Sequence, residues 1–202
     1  MADQVQIKAE TVKELRERTG TGFMDCKRAL EETGGDLERA VLLLRERGLA
    51  AAQKKAGREA REGQVASYIH PGGRVGVLIE VNCETDFVAR TPEFQKLVRD
   101  LAMQVAGLAP LYPTVEAIPA DVLEAKRAEL LADPSVQQKP EQLRGQIVEG
   151  QLKKWYAQVV LNAQPFRDTD ITVGQLLTDA IARIGENIRV RRFARYQLGE
   201  EL

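Results

Sequence analysis

Apolar residues recur at helical spacing in three short segments near the start of the chain. The segments cover residues 8–19, 23–33 and 37–47, and a glycine follows each of them. One apolar side chain every three or four positions is typical of an amphipathic helix. Gly48 is expected to end the third helix, as a glycine just past a helix commonly does. The pattern therefore predicts a compact three-helix module over residues 1–48.

The next stretch, residues 49–62, has a different composition. It is rich in Ala, Lys and Arg and shows no apolar stripe. Such a composition is typical of a connecting segment. The sequence predicts a basic linker here and leaves open whether it is a rigid helix or flexible.

The remainder, residues 63–202, begins with alternating apolar and polar positions. Two such runs, 65–69 and 75–81, flank Pro-Gly-Gly and predict a β-hairpin. Further helices are predicted over residues 92–107, 121–131, 141–160 and 173–184, and a last strand over 187–198. On that strand one face is expected to carry Ile188, Val190, Ala194, Tyr196 and Leu198. The fold class predicted is α+β, a three-stranded antiparallel sheet packed with about four helices.

Composition narrows the class of protein. The 202 residues are 44% hydrophobic with a formal net charge of -1, which disfavours disorder and a nonspecific nucleic-acid binder. Two cysteines, Cys26 and Cys83, are too few for a disulfide framework or a structural zinc site. No secretory signal or membrane span is evident, so a cytoplasmic protein is expected.

Side chains capable of catalysis lack the partners they would need. His70 is the single histidine and follows a predicted strand, with no nucleophile in a recognisable motif nearby. Cys83 ends an apolar strand and is expected to be a buried, inert thiol. The glycine pairs lack the residues of a phosphate-binding loop. The sequence therefore predicts a binding protein, not an enzyme, without a metal ion or cofactor of its own.

Two aromatic positions are candidates for contact with a partner. Phe87 lies in the segment Thr85-Asp86-Phe87-Val88, between a strand and a helix, where a surface turn is expected. Phe87 either folds back into the core or protrudes as a wedge into a partner's pocket. For Phe23 and Met24, either both lie in the core, or one lies in the core and the other is exposed. An exposed Met24 would form a mixed contact patch with its basic neighbours. Those neighbours are Lys13, Arg16 and Lys27.

Two long segments resemble a known family. Residues 15–30, LRERTGTGFMDCKRAL, resemble the first signature of bacterial elongation factor Ts, and residues 80–90, EVNCETDFVAR, resemble its second. Shorter family-like stretches are VEGQLKKW at 148–155, QPF at 164–166 and IGENI at 184–188. The resemblance extends over nearly the whole chain.

The resemblance implies a guanine-nucleotide exchange factor that binds elongation factor Tu. In that family the three-helix module is similar to ubiquitin-associated domains and docks on the GTPase domain. Asp86 and Phe87, flanked by Thr85 and Val88, match the wedge that enters elongation factor Tu beside its Mg²⁺ and phosphate site. The docking contact would involve Lys13, Leu15, Arg16, Phe23, Met24 and Lys27.

The chain also departs from the family pattern. Phe23 stands where many members have Met, and Gln104 where several have His, so no histidine contact to the nucleotide site is expected from this helix. Longer members duplicate the core, whereas this chain has one copy. Short members tend to pair, which implies a homodimer. It would be non-covalent, because no cysteine lies near the last strand.

Two other classes of function stay open from the residues alone. One is a ubiquitin-associated-type binding module joined to an unrelated core, which leaves residues 80–90 unexplained. The other is an RNA-binding protein that uses the arginines of the last strand, although a solvated strand face is the simpler interpretation. Those arginines are Arg189, Arg191, Arg192 and Arg195. The family resemblance implies neither a nucleic-acid nor a membrane partner.

Overall fold

The computed structural model describes residues 7–167 and 169–201. The first six residues, where no secretory signal is expected, lie outside the described part. The fold is α+β, as predicted. The helices are α1 (Ala9–Thr19), α2 (Phe23–Glu32), α3 (Leu37–Lys55), α4 (Asp86–Ala89), α5 (Pro92–Leu108), α6 (Ala120–Ala132), α7 (Pro134–Gln137), α8 (Glu141–Val159) and α9 (Val173–Ile184). The strands are β1 (Glu62–Ile69), β2 (Val75–Cys83) and β3 (Arg189–Gln197).

Helices α1 to α3 share a small core of their own. Gly20 ends α1 in the left-handed conformation, with φ 67°, which a glycine adopts without a steric cost. The Asp36 carboxylate caps α3 by accepting a hydrogen bond from the Arg39 amide at 3.0 Å. The buried side chains of this core are Val12, Leu15, Cys26, Ala29, Leu30, Ala40, Val41 and Leu44. The three predicted helices are confirmed.

The predicted end of α3 at Gly48 is wrong. The helix continues to Lys55, so half of the predicted linker is helical. Gly48 and Ala52 are buried because this part of α3 packs against α9. The Lys55 ammonium donates to the Ile181 carbonyl at 3.4 Å. The contact with α9 therefore extends α3 past a residue that usually weakens helices.

The three strands form an antiparallel sheet in the order β1-β2-β3. The predicted hairpin of β1 and β2 is confirmed. One face of the central strand packs against α5 and is buried in the main core, to which α9 also contributes side chains. The strand side chains on this covered face are Val77, Ile79, Val81 and Cys83. The opposite, open face has no described element packed on it.

A β-bulge in the last strand places some of its side chains on the face opposite to the one predicted. Glu80 pairs with Arg192 and Val81 pairs with Val190, so Arg191 is an extra residue. An extra residue shifts all later side chains to the other face. Val190 is buried on the covered face, whereas Tyr196 lies on the open face. The prediction that these two share a face is therefore wrong.

Helices α6 to α8 pack against one another around a separate small core, and we call these three helices the arm. Val136, Val148 and Leu152 are its buried side chains. The one-turn helix α7 lies where Pro134 and Pro140 predict a break. None of the helices described here is both long and apolar enough to cross a membrane.

Candidate partner-binding site

The segment with Phe87 is a single turn of helix, α4, between β2 and α5. Thr85 caps it, because the Thr85 hydroxyl oxygen accepts the Val88 amide at 3.3 Å. Thr91 then caps α5 and also donates its hydroxyl to the Val88 carbonyl at 2.8 Å. Two successive threonine caps thus fix both ends of this turn. The surface turn predicted for this segment is a helical one.

The Phe87 side chain points away from the protein. It is 80% exposed, the most exposed large apolar side chain among the described residues. Val88 and Ala89, the next two residues, are partly buried and pack against the main core. Because the turn is anchored through these two, Phe87 does not fold back. Beside it, the Asp86 carboxylate forms an exposed ion pair with Arg90 at 2.7 Å.

The buried Cys83 thiol and the half-buried Glu186 carboxylate hold the segment just before the turn. The Cys83 thiol donates to the Thr85 carbonyl at 3.1 Å. Burial, together with a smaller effect of the nearby Glu186 carboxylate, raises the pKa of the Cys83 thiol to about 11. The thiol is therefore protonated at neutral pH and inert, as predicted. Glu186 is not among the functional residues predicted from the sequence, where its only signal is its place in the IGENI stretch.

A second set of exposed residues lies on α1 and α2. Phe23 is 46% exposed and Met24 is 60% exposed, so neither belongs to the core of the three-helix module. We call these two residues, with Lys13, Arg16 and Lys27, the docking surface. All five are exposed. Lys13 and Lys27 form exposed intrahelical ion pairs with Glu17 and Glu31, at 3.8 and 3.7 Å.

Leu15 requires a correction. It was predicted as a contact residue with the docking surface, yet its side chain is 0% exposed. It packs in the core of the three-helix module with Val12 and Leu30. Leu15 therefore supports the docking surface from inside and does not itself reach a partner.

Gln104 lies inside the protein. Its side-chain amide donates to the Pro165 carbonyl at 3.0 Å and to the Gln164 side-chain oxygen at 3.4 Å. Gln164 in turn donates to the carbonyls of Leu108 and Gln158, at 3.2 and 3.0 Å. These bonds join α5 to the end of α8. The role of Gln104 in this geometry is to satisfy buried polar groups.

The arginines of β3 are engaged within the chain. Arg191 and Arg192 both donate to the Glu80 carboxylate, at 2.9 and 2.7 Å. Arg189 donates to the Ala60 carbonyl at 3.3 Å, and Arg195 donates to a carbonyl of α5 at 3.3 Å. All four guanidinium groups thus have an acceptor within the chain.

Comparison with known proteins identifies the family. The family model described as Elongation factor TS matches residues 50–200, which is most of the chain. The chain belongs to the elongation factor Ts family. Its place is therefore in the elongation stage of protein synthesis.

Individual relatives extend this match to the three-helix module. Elongation factor Ts of Carboxydothermus hydrogenoformans is 56% identical over 197 residues, which cover 97% of this chain and 91% of the relative. Elongation factor Ts of an Anaeromyxobacter species is 56% identical over 98% of this chain and 90% of the relative. A Synechococcus relative of the same name is 54% identical over 97% of this chain and 70% of its own length.

Proposed function

We propose that this chain is a guanine-nucleotide exchange factor for elongation factor Tu. It binds that GTPase, promotes release of GDP and so allows GTP to bind again. The observation that carries the proposal is the exposure of Phe87 on a turn fixed by two threonine caps. An apolar ring held in water by a rigid turn is suited to enter a partner's pocket.

The proposed mechanism uses binding energy alone. Burial of a Phe side chain contributes about 1.5–3 kcal/mol. If Phe87 is buried only when helices of elongation factor Tu part beside its Mg²⁺ and phosphate site, the factor favours the nucleotide-free state. By linkage, the factor lowers the affinity of elongation factor Tu for GDP by the same ratio as GDP lowers its affinity for the factor. Asp86 adds charge and hydrogen-bonding capacity at the displaced elements, and no acid, base or nucleophile is required.

The docking surface supplies the second contact in this proposal. Met24 and Phe23 offer apolar area on α2, and Lys13, Arg16 and Lys27 add exposed basic side chains on α1 and α2. This combination suits a partner surface that is apolar at its centre and acidic around it. We assign affinity to the docking surface and the conformational effect to Phe87.

The open sheet face supports pairing of two copies. We propose a non-covalent homodimer through this face, because its exposed apolar side chains lie on neighbouring positions of all three strands. These side chains are Val65, Ile69, Leu78 and Tyr196, with Leu198 just past the end of β3. Both Cys26 and Cys83 are buried, which disfavours a disulfide between subunits.

The direct test is release of fluorescent GDP from elongation factor Tu. Excess unlabelled GDP prevents rebinding, and release is followed with increasing amounts of the chain. A rate that rises and then saturates supports the exchange function, whereas a rate equal to that of elongation factor Tu alone contradicts it. A salt-dependent RNA-binding assay tests the alternative function, RNA binding through the arginines of β3. The proposed partner also places the protein in the cytoplasm.

A further inference from the structure

Two segments a hundred residues apart hold each other just before α4. The Glu186 carboxylate accepts the backbone amides of Glu84 and Thr85, each at 3.0 Å, and the Thr85 hydroxyl at 2.7 Å. In return, the Glu84 carboxylate accepts the Asn187 amide at 2.6 Å. Each segment thus satisfies backbone donors of the other. Hydrogen bonds to an ionised carboxylate are stronger than those between neutral groups.

The Glu186 carboxylate also sets the direction of the Thr85 cap. A threonine hydroxyl has one proton to donate and two lone pairs with which to accept. Because Glu186 accepts that proton, a lone pair of the Thr85 oxygen is left for the Val88 amide. Besides accepting two backbone amides, the carboxylate therefore contacts the capping oxygen of the turn through this hydroxyl, and the turn determines where Phe87 points.

The same junction includes the segment that follows α3. The Asn187 side-chain amide donates to the Arg58 carbonyl at 2.8 Å and to the Ala56 carbonyl at 3.3 Å. The Arg58 guanidinium lies 3.6 Å from the Glu84 carboxylate. The position of α4 is thereby tied both to the start of β3 and to the chain leaving the three-helix module.

We propose that Glu186 is a positioning residue for nucleotide exchange, acting on Phe87 through Thr85. The inference rests on the proposed function of Phe87. A turn that loses its cap samples other conformations, and the ordering that follows on binding costs affinity for the open partner. Phe87 then remains exposed but enters the partner less effectively.

The first experiment tests the positioning without any partner. Amide hydrogen exchange is compared in the wild type, Glu186→Gln and Glu129→Gln, the last a control in α6, which packs against α7 and α8. Loss of the charge-assisted bonds should speed exchange at Thr85 and Val88 about tenfold in Glu186→Gln. The control should match the wild type. Unchanged exchange at both amides in Glu186→Gln overturns the proposal.

The second experiment is a double-mutant cycle on GDP release from elongation factor Tu. Glu186→Gln should slow release about tenfold, and should slow it no further in the Phe87→Ala background, because the two act as a unit. A merely structural role predicts equal slowing in both backgrounds, and that result overturns the proposal.

If Glu186→Gln does not fold, Thr85→Val, which removes only the intervening hydroxyl, takes its place. If the wild type does not accelerate GDP release, the proposed exchange function is wrong. The hydrogen-exchange experiment then decides separately whether Glu186 holds the turn that carries Phe87.

Discussion

Gly48 of α3 faces Ala182 of α9, so closely that a Cβ atom at position 48 would lie 3.6 Å from the Ala182 Cβ. This contact joins the three-helix module to residues 63–202, which contain the sheet. The small size of both residues lets the two helices approach each other, and α3 continues through the glycine because its far end is packed. The linker predicted from residue 49 onward is thus partly a helical connection.

Position 48 offers a test of this contact. Gly48→Ala should raise the free energy of unfolding by about 0.5–1 kcal/mol, because alanine favours the helix and its Cβ meets only ordinary van der Waals distances. Gly48→Leu should lower it, since the larger side chain separates α3 from α9. Urea denaturation measures both. Gly145→Leu, in α8 with no atoms near its Cβ position, is the control; equal stability of the two Leu variants would contradict the contact.

The docking surface predicts a change in affinity without a change in maximal rate. Met24→Glu should raise the concentration of factor needed for half-maximal GDP release about tenfold, because it removes apolar contact area and introduces an unpaired charge. The rate at saturation should stay the same. Leu42→Glu is a matched control, since Leu42 is an exposed side chain of the same module outside the docking surface. A lower saturating rate in Met24→Glu would refute the division of roles.

The open sheet face predicts a dimer that a single charge disrupts. The wild type should sediment at twice the 22.4 kDa mass of one chain. Leu78→Glu places a carboxylate at the middle of the face and should yield monomers, because a buried unpaired charge is costly. Leu131→Glu, on the arm, should remain dimeric. A monomeric wild type in sedimentation velocity at micromolar concentration would disprove pairing.

Glu80 predicts an acid-sensitive contribution to stability. The Arg192 guanidinium, with Arg191, holds the pKa of Glu80 below its ordinary value of 4.5. A lowered pKa in the folded chain means that the contribution is present above about pH 4.5 and is lost as the pH falls further. The difference in melting temperature between wild type and Glu80→Gln should therefore shrink on acidification from pH 6 to 3. A difference that grows on acidification would contradict a lowered pKa of Glu80 in the folded chain.

Elements with local signals are predictable from this sequence. Helical spacing indicates α1, α2, α5, α8 and α9, and alternation around Pro-Gly-Gly indicates the hairpin, because each signal lies within a few neighbouring residues. The exposed position of Phe87 is not decided by its neighbours alone. It follows from the packing of Val88 and Ala89 on the main core.

The parts that sequence reasoning misses depend on distant contacts. The extension of α3 rests on its packing against α9, more than a hundred residues away. The extra residue Arg191 has no local signature, yet it decides which side chains of β3 face the core. Glu186 resembles any polar residue before a strand until the fold brings its carboxylate to Thr85.

The central claim is that Phe87 promotes exchange by entering the partner. Phe87→Ala should leave the melting temperature nearly unchanged, because an 80% exposed ring contributes little to folding. Leu131→Ala serves as a control of similar kind, an exposed apolar residue outside the proposed contacts.

The measurement is the rate of fluorescent-GDP release from elongation factor Tu at saturating factor. We expect Phe87→Ala to slow release about 10- to 100-fold relative to wild type, the range that corresponds to one buried Phe, and Leu131→Ala to have no effect. A Phe87→Ala rate equal to the wild-type rate at saturation would contradict the account.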